Sequence, residues 1–119
     1  MGTGYVLGKY AMTLITHGLA GELRDDGIAC NTLWPRTAIQ TAAVQNLLGG
    51  DSTMSGSRTP AIMADSAYVI LTSKSTLTTD NFFLDDEVLI SSGKNITDLK
   101  QYLPSPNAPD SALVPDFMC

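Results

Sequence analysis

The chain has 119 residues, 44% hydrophobic and 16% charged, the balance of a globular domain rather than of a disordered chain. Twelve acidic against seven basic residues leave a net charge of −5, which argues against a nucleic-acid partner, because phosphate binding wants a basic face. No apolar run is long enough to span a bilayer, and the start has neither the basic flank nor the apolar core of a signal peptide.

In chain order, Tyr5, Leu7, Met12, Ile15, Leu19 and Leu23 recur at helical spacing and predict a helix from residue 5 to about 24. Asp25-Asp26-Gly27 supplies its stop, with Gly27 suited to the left-handed position beyond a helix end. Residues 28–34 (IACNTLW) read as a short buried strand closed by Pro35. Residues 41–48 read as a short helix ended by Gly49-Gly50, and DSTMSGSRTP as a mobile loop. Pro60 suits the first turn of another helix, running to about residue 73 with Ile62, Met63, Ala67, Ile70 and Leu71 on one side. Residues 81–84 are a second strand candidate. Asp85-Asp86-Glu87 then reads as its solvated end, since consecutive carboxylates on an extended segment point to opposite sides and do not converge on a cation. Beyond residue 91 the chain turns polar and carries Pro104, Pro106, Pro109 and Pro115, so residues 91–119 read as a wrapping tail or the start of a linker rather than packed structure.

A strand, a helical crossover and a second strand make a parallel unit whose crossover should be right-handed. The fold class is therefore α/β, a partial doubly wound arrangement with two parallel strands and about three helices. Two strands are too few for a self-sufficient sheet, and no serine, threonine or aspartate directly precedes the first helix to cap it. The chain reads like the back half of a larger unit.

Neither cysteine indicates a disulfide or a metal site. Cys30 reads as a small buried residue, and Cys119, being last, cannot form a prenylation box; Val6 breaks the myristoylation pattern. These features point to a reducing intracellular compartment, the cytoplasm first, with peroxisome and mitochondrion left open. His17 is a lone histidine and reads as a surface or packed residue, because a metal site needs more ligands. Trp34 lines a pocket where strand ends gather or packs as a core tryptophan. Asn95-Ile96-Thr97 fits a glycosylation sequon, which has no meaning without secretion.

The opening GTGYVLGK looks like a phosphate-binding loop and fails as one. A GxGxxG loop needs glycine where Leu7 stands; a loop ending in Gly8-Lys9 needs glycine at Thr3 and a small hydroxyl residue at Tyr10, and no strand precedes either. The informative pair is Tyr5 and Lys9, four apart and so on one helix face. In general, an ammonium beside a phenol favours the phenolate, and a phenol tuned in this way exchanges a proton with an alcohol or carbonyl. The pair alone is a weak signal.

Its context resembles the short-chain dehydrogenase/reductase family. In that family the YxxxK helix is followed by a strand with Asn and Pro and then a short helix. Here Tyr5-Val-Leu-Gly-Lys9 is followed by GIACNTLWPRTAIQTAA, with Asn31, Pro35 and Thr41, and by NFFLDDEVL, which looks like the family's last strand. The resemblance covers nearly the whole chain and identifies residues 1–90 with the C-terminal part of the family's Rossmann-like domain. It implies that Tyr5 is the catalytic acid/base. It implies also that Lys9 supports that tyrosine and holds the nicotinamide ribose hydroxyls. Residues 35–41 match the segment whose backbone meets the nicotinamide amide, so the resemblance assigns cofactor contacts to Pro35, Ala38, Ile39 and Thr41. Arg36 stands where most of the family has glycine.

The implied activity is an NAD(P)-dependent oxidoreductase acting on a small-molecule carbonyl or secondary alcohol. The family's glycine-rich cofactor loop, structural asparagine and catalytic serine belong upstream of the tyrosine, where this chain has four residues. The chain is therefore expected to be inactive alone, and the residue that selects NAD or NADP would lie upstream too. A second reading is a truncated, non-catalytic binding or oligomerisation module that self-associates through the first helix; a third is an incomplete gene model. The ending Phe117-Met118-Cys119 is not a peroxisomal tripeptide.

Overall fold

The computed structural model describes residues 2–116, so Met1 and the segment holding Cys119 lie outside the described residues. The chain divides into two compact units. The first comprises residues up to 33 together with 72–83, and the second comprises 34–71 together with the residues from 84 onward.

In the first unit, α1 (Thr3–Glu22) starts from Gly2, whose carbonyl accepts the N–H groups of Tyr5 and Val6 at 3.0 and 3.2 Å. No side chain caps it, so its first donors are held by main chain alone. Gly27 adopts φ +72° just beyond the helix, the left-handed turn that a residue without Cβ makes at little cost. The apolar spacing forms the helix but not a buried stripe: among the described residues of α1 only Ala20 is buried, while Leu7, Leu14 and Ile15 are more than half exposed.

The same unit holds the approach to the sheet. Asn31 accepts from both the main-chain and side-chain N–H groups of Asn81 at 3.1 and 3.0 Å and donates to Thr78 O at 2.9 Å. That clasp sets the register in which Asp80 N–H meets Cys30 O at 2.8 Å and Thr32 N–H meets Asn81 O at 3.0 Å. The pair continues as β1 (Thr32–Trp34) beside β2 (Phe82–Leu84), two parallel strands. The strand at residues 28–34 is shorter than its apolar run, because Cys30 and Asn31 face the irregular segment 78–81 rather than a partner strand.

In the second unit, Thr41 caps α2 (Ala42–Leu47) by accepting Val44 N–H at 3.3 Å. The expected mobile loop contains a helix, α3 (Gly50–Ser55). Gly49 and Gly50, at φ +124° and +61°, turn the chain into it, and Thr53 Oγ1 donates back to Leu48 O at 3.0 Å. α4 (Ala61–Leu71) packs on α5 (Asp85–Ser91).

Asp85-Asp86-Glu87 is thus not a solvated strand end. It is the first turn of α5, where negative side chains suit the helix dipole, and Asp85 and Asp86 are buried. Ser66 Oγ lies 2.8 Å from Asp85 O and ties α4 to that turn.

The core of this unit is Ile62, Leu89, Leu99 and Tyr102, with Ile39, Met63 and Val69 against it. Two of the four come from the proline-rich segment. Residues Ile96–Tyr102 form a 3-10 helix whose start is fixed by Asn95 N–H donating to Asp98 Oδ2 at 2.7 Å. Tyr102 donates to Asp65 Oδ2 at 2.5 Å, and burial pushes its phenol well above the ordinary value. Farther on, a second 3-10 helix, Asp110–Ala112, leads Val114 N–H to Gly56 O at 2.8 Å. Segment 91–116 is therefore packed in part, because its apolar residues fill a core that the helices alone leave open.

A Cβ at residue 56 would come within 2.6 Å of Ala112 O and 2.8 Å of Val114 Cγ2. Gly56→Ala is expected to lower stability by about 1–3 kcal/mol, the usual cost of forced overpacking, measured by urea denaturation. Limited proteolysis should show residues 110–116 released first.

Candidate active site

The helix period of α1 brings Tyr5 and Lys9 together, one turn apart on one face. The Lys9 ammonium lies 5.5 Å from the centroid of the Tyr5 ring, over its face, a cation–π arrangement worth about 0.5–1 kcal/mol at an exposed site. Tyr5 is 44% exposed.

Pro35, Ala38, Ile39 and Thr41 lie in the second unit, on a stretch held from both sides by main-chain hydrogen bonds. On one side Thr37 pairs antiparallel with Pro115, with Ala38 N–H donating to Val114 O at 2.8 Å and Asp116 N–H to Arg36 O at 3.0 Å. On the other side Ile39 pairs parallel with Arg58, with Arg58 N–H donating to Ala38 O and Gln40 N–H to Arg58 O, both at 2.9 Å. Both main-chain groups of Ala38 are thereby engaged. Among the described residues nothing hydrogen-bonds the main chain of Ile39, whose side chain packs on the core. The Thr41 hydroxyl is engaged as the α2 cap.

A cluster that the sequence reading missed fixes the start of this stretch. Arg36 N–H donates to Asp85 Oδ1 at 3.0 Å, while its guanidinium donates to Asp86 Oδ2 at 2.5 Å and to Glu87 Oε1 at 2.6 Å. The hydrogen bond to Asp86 outweighs desolvation and raises the Arg36 guanidinium above its ordinary value, so it stays charged. Burial pushes the Asp85 carboxyl above the ordinary carboxylate range, against the opposing pull of the Arg36 and Asp86 N–H groups. The available signal was three acidic residues directly after a strand, the composition of a helix first turn.

Elsewhere, His17 Nδ1 sits 2.6 Å from Asp80 Oδ1, with its ring edge-on to Phe82. Among the described residues no group of three or more His, Cys, Asp or Glu is placed to hold a metal ion. No helix among them is long and apolar enough to cross a membrane.

No protein-family model matches the chain. Among solved structures it aligns with a short-chain dehydrogenase from Mycobacterium thermoresistibile at 52% identity and TM-score 0.79, over 96% of this chain and 39% of the other. It also aligns with a putative dehydrogenase from Xanthomonas campestris at 44% identity and TM-score 0.84, over 98% and 40%. The chain is similar to short-chain dehydrogenases. Among curated proteins it is 46% identical over 113 residues to hydroxysteroid dehydrogenase-like protein 2 of Xenopus tropicalis and 39% identical to that of Homo sapiens. These matches cover 95% of the chain, which spans about a quarter of the length of those relatives. The α/β arrangement with two parallel strands corresponds to part of the Rossmann-like short-chain dehydrogenase fold.

Because Asp85 is raised by burial, the native chain holds a proton that the unfolded chain has already released just above the ordinary carboxylate value of about 4. Stability from this group is therefore greatest at low pH and falls as pH rises through that window. In Asp85→Asn, whose amide oxygen can still accept Arg36 N–H, the falling component should disappear from denaturation midpoints recorded as pH rises from about 4.

Proposed function

We propose that the chain is part of an NAD(P)-dependent oxidoreductase acting on a small-molecule carbonyl or secondary alcohol. The observation that carries this reading is the Tyr5–Lys9 pair, one turn apart at the start of α1, in a chain similar to short-chain dehydrogenases. A bound nicotinamide supplies or accepts the hydride. Tyr5 donates its phenolic proton to the carbonyl oxygen as the carbon is reduced, and takes the proton back in the reverse direction. Lys9 holds positive charge beside the ring and donates to the ribose hydroxyls. The open main chain of Ile39, between two engaged ladders, fits the carboxamide of a nicotinamide; Pro35, Ala38 and Thr41 hold that stretch in place.

The 119 residues contain no glycine-rich phosphate loop after a strand, so the chain by itself is expected to bind NAD(P) feebly and to show no turnover. The test is a chimera in which residues 2–119 replace the matching stretch of the Mycobacterium thermoresistibile dehydrogenase. Oxidation of NADH and NADPH is then followed with a panel of ketones. Tyr5→Phe should reduce kcat by about a hundredfold or more while cofactor binding persists. A chimera that binds cofactor and turns over equally well without the Tyr5 hydroxyl would overturn the assignment.

A second reading, a non-catalytic assembly module, is favoured by the apolar residues that α1 exposes: Leu7 at 68%, Leu14 at 69% and Ile15 at 62%. A well-folded monomer on size-exclusion chromatography would count against it.

A further inference from the structure

We infer that Asp86 is the positioning residue of the nicotinamide-facing stretch, one buried carboxylate that ties Arg36 to Arg58 and so fixes the backbone between residues 36 and 40. The inference rests on the proposed function for its purpose, but not for its geometry.

A single oxygen makes the tie. Asp86 Oδ2 lies 2.5 Å from Arg36 Nε and 3.7 Å from Arg58 Nη1. The other oxygen, Oδ1, accepts Glu87 N–H at 2.8 Å, which orients the carboxylate from the first turn of α5. The side chains of Asp86 and Arg58 are 11% and 10% exposed, so water screens this pair little.

The two arginines stand on the two stretches that form the parallel ladder. Arg58 main chain engages Ala38 O and Gln40 N–H, while Arg36 opens the stretch and gives its own N–H to Asp85. Arg58 Nε and Nη1 make no hydrogen bond among the described residues, so charge alone relates this side chain to Asp86. Without that carboxylate, two cations would share one partly dry region, with the exposed Glu87 opposite Arg36 and, facing Arg58, Asp85, whose carboxyl burial pushes toward the neutral form. Their repulsion would open the ladder at Ala38 and Gln40, the residues flanking Ile39.

Arg36 therefore has a specific use where a glycine would offer none: its guanidinium reaches Asp86 and Glu87 in the acidic turn of α5. Glu87, 65% exposed at its side chain, assists without being required.

Asp86→Asn keeps the shape and removes the charge. In the 119-residue chain, amide hydrogen exchange at Gln40 and Arg58, whose N–H groups make the parallel ladder, should accelerate about tenfold, while Ser92 and Lys94, bonded within and beyond α5, change less than about twofold. Equal acceleration at all four would mark a general loss of stability, and no change at Gln40 and Arg58 would mean no tie; either overturns the inference. In the chimera, Asp86→Asn should raise the cofactor KM about tenfold with kcat within about threefold, Asp86→Glu should recover most of it, and Glu87→Gln should change little. A purely structural role would instead reduce the active fraction, lowering kcat at constant KM. Tyr5-dependent turnover with an unchanged cofactor KM in Asp86→Asn would overturn the inference while leaving the proposed function standing. A chimera lacking Tyr5-dependent turnover would overturn that function, and the exchange measurement would still decide the tie.

Discussion

A pair of carboxylates buried at the start of α5 organises the second unit. Asp85 and Asp86 are drawn out of water, and such groups persist inside a protein only where donors and cations meet them. Here the N–H and guanidinium of Arg36 do so, with Arg58 alongside. Through Arg36 the pair sets where residues 36–40 begin, and through the main chain of Asp85 it meets Ser66 of α4. The helix pair and the irregular ladder are thus referred to one point.

The ladder itself is built from stretches that are not strands by pattern. Residues 36–40 take one partner from the segment around Arg58 and another from residues 114–116, all through main-chain bonds. Main-chain pairing of this kind tolerates proline at Pro115, since that position needs only to lie opposite Thr37 while its neighbours donate and accept. The late segment therefore contributes to the candidate cofactor stretch as well as to the core, where Leu99 and Tyr102 close the gap beside Ile62 and Leu89.

Much of this was legible in advance, and the exceptions share a cause. The helix at 3–22, the cap at Thr41, the left-handed turn at Gly27 and the helix after Pro60 depend on bonds within a few residues, so local spacing reveals them. α3 was hidden because its turn rests on two glycines that equally well signal a loop. The acidic first turn of α5 was hidden because its ion partners, Arg36 and Arg58, stand far back in the chain. The proline-rich end looked unpacked for the same reason: its few apolar residues have meaning only once Ile62 and Leu89 are placed beside them.

By itself the sequence determined the helix that carries Tyr5 and Lys9 on one face, since a spacing of four has one outcome on a helix. It also determined two strands in parallel and the segment around Pro35 that the resemblance singled out. Only the tertiary structure decided that the Lys9 ammonium lies over the Tyr5 ring, that Ala38 is engaged while the main chain of Ile39 is open, and that Arg36 is held by the carboxylates of α5. Those outcomes turn on side-chain rotamers and on pairings across some fifty residues of chain, such as Arg36 with Asp86, which no local pattern encodes.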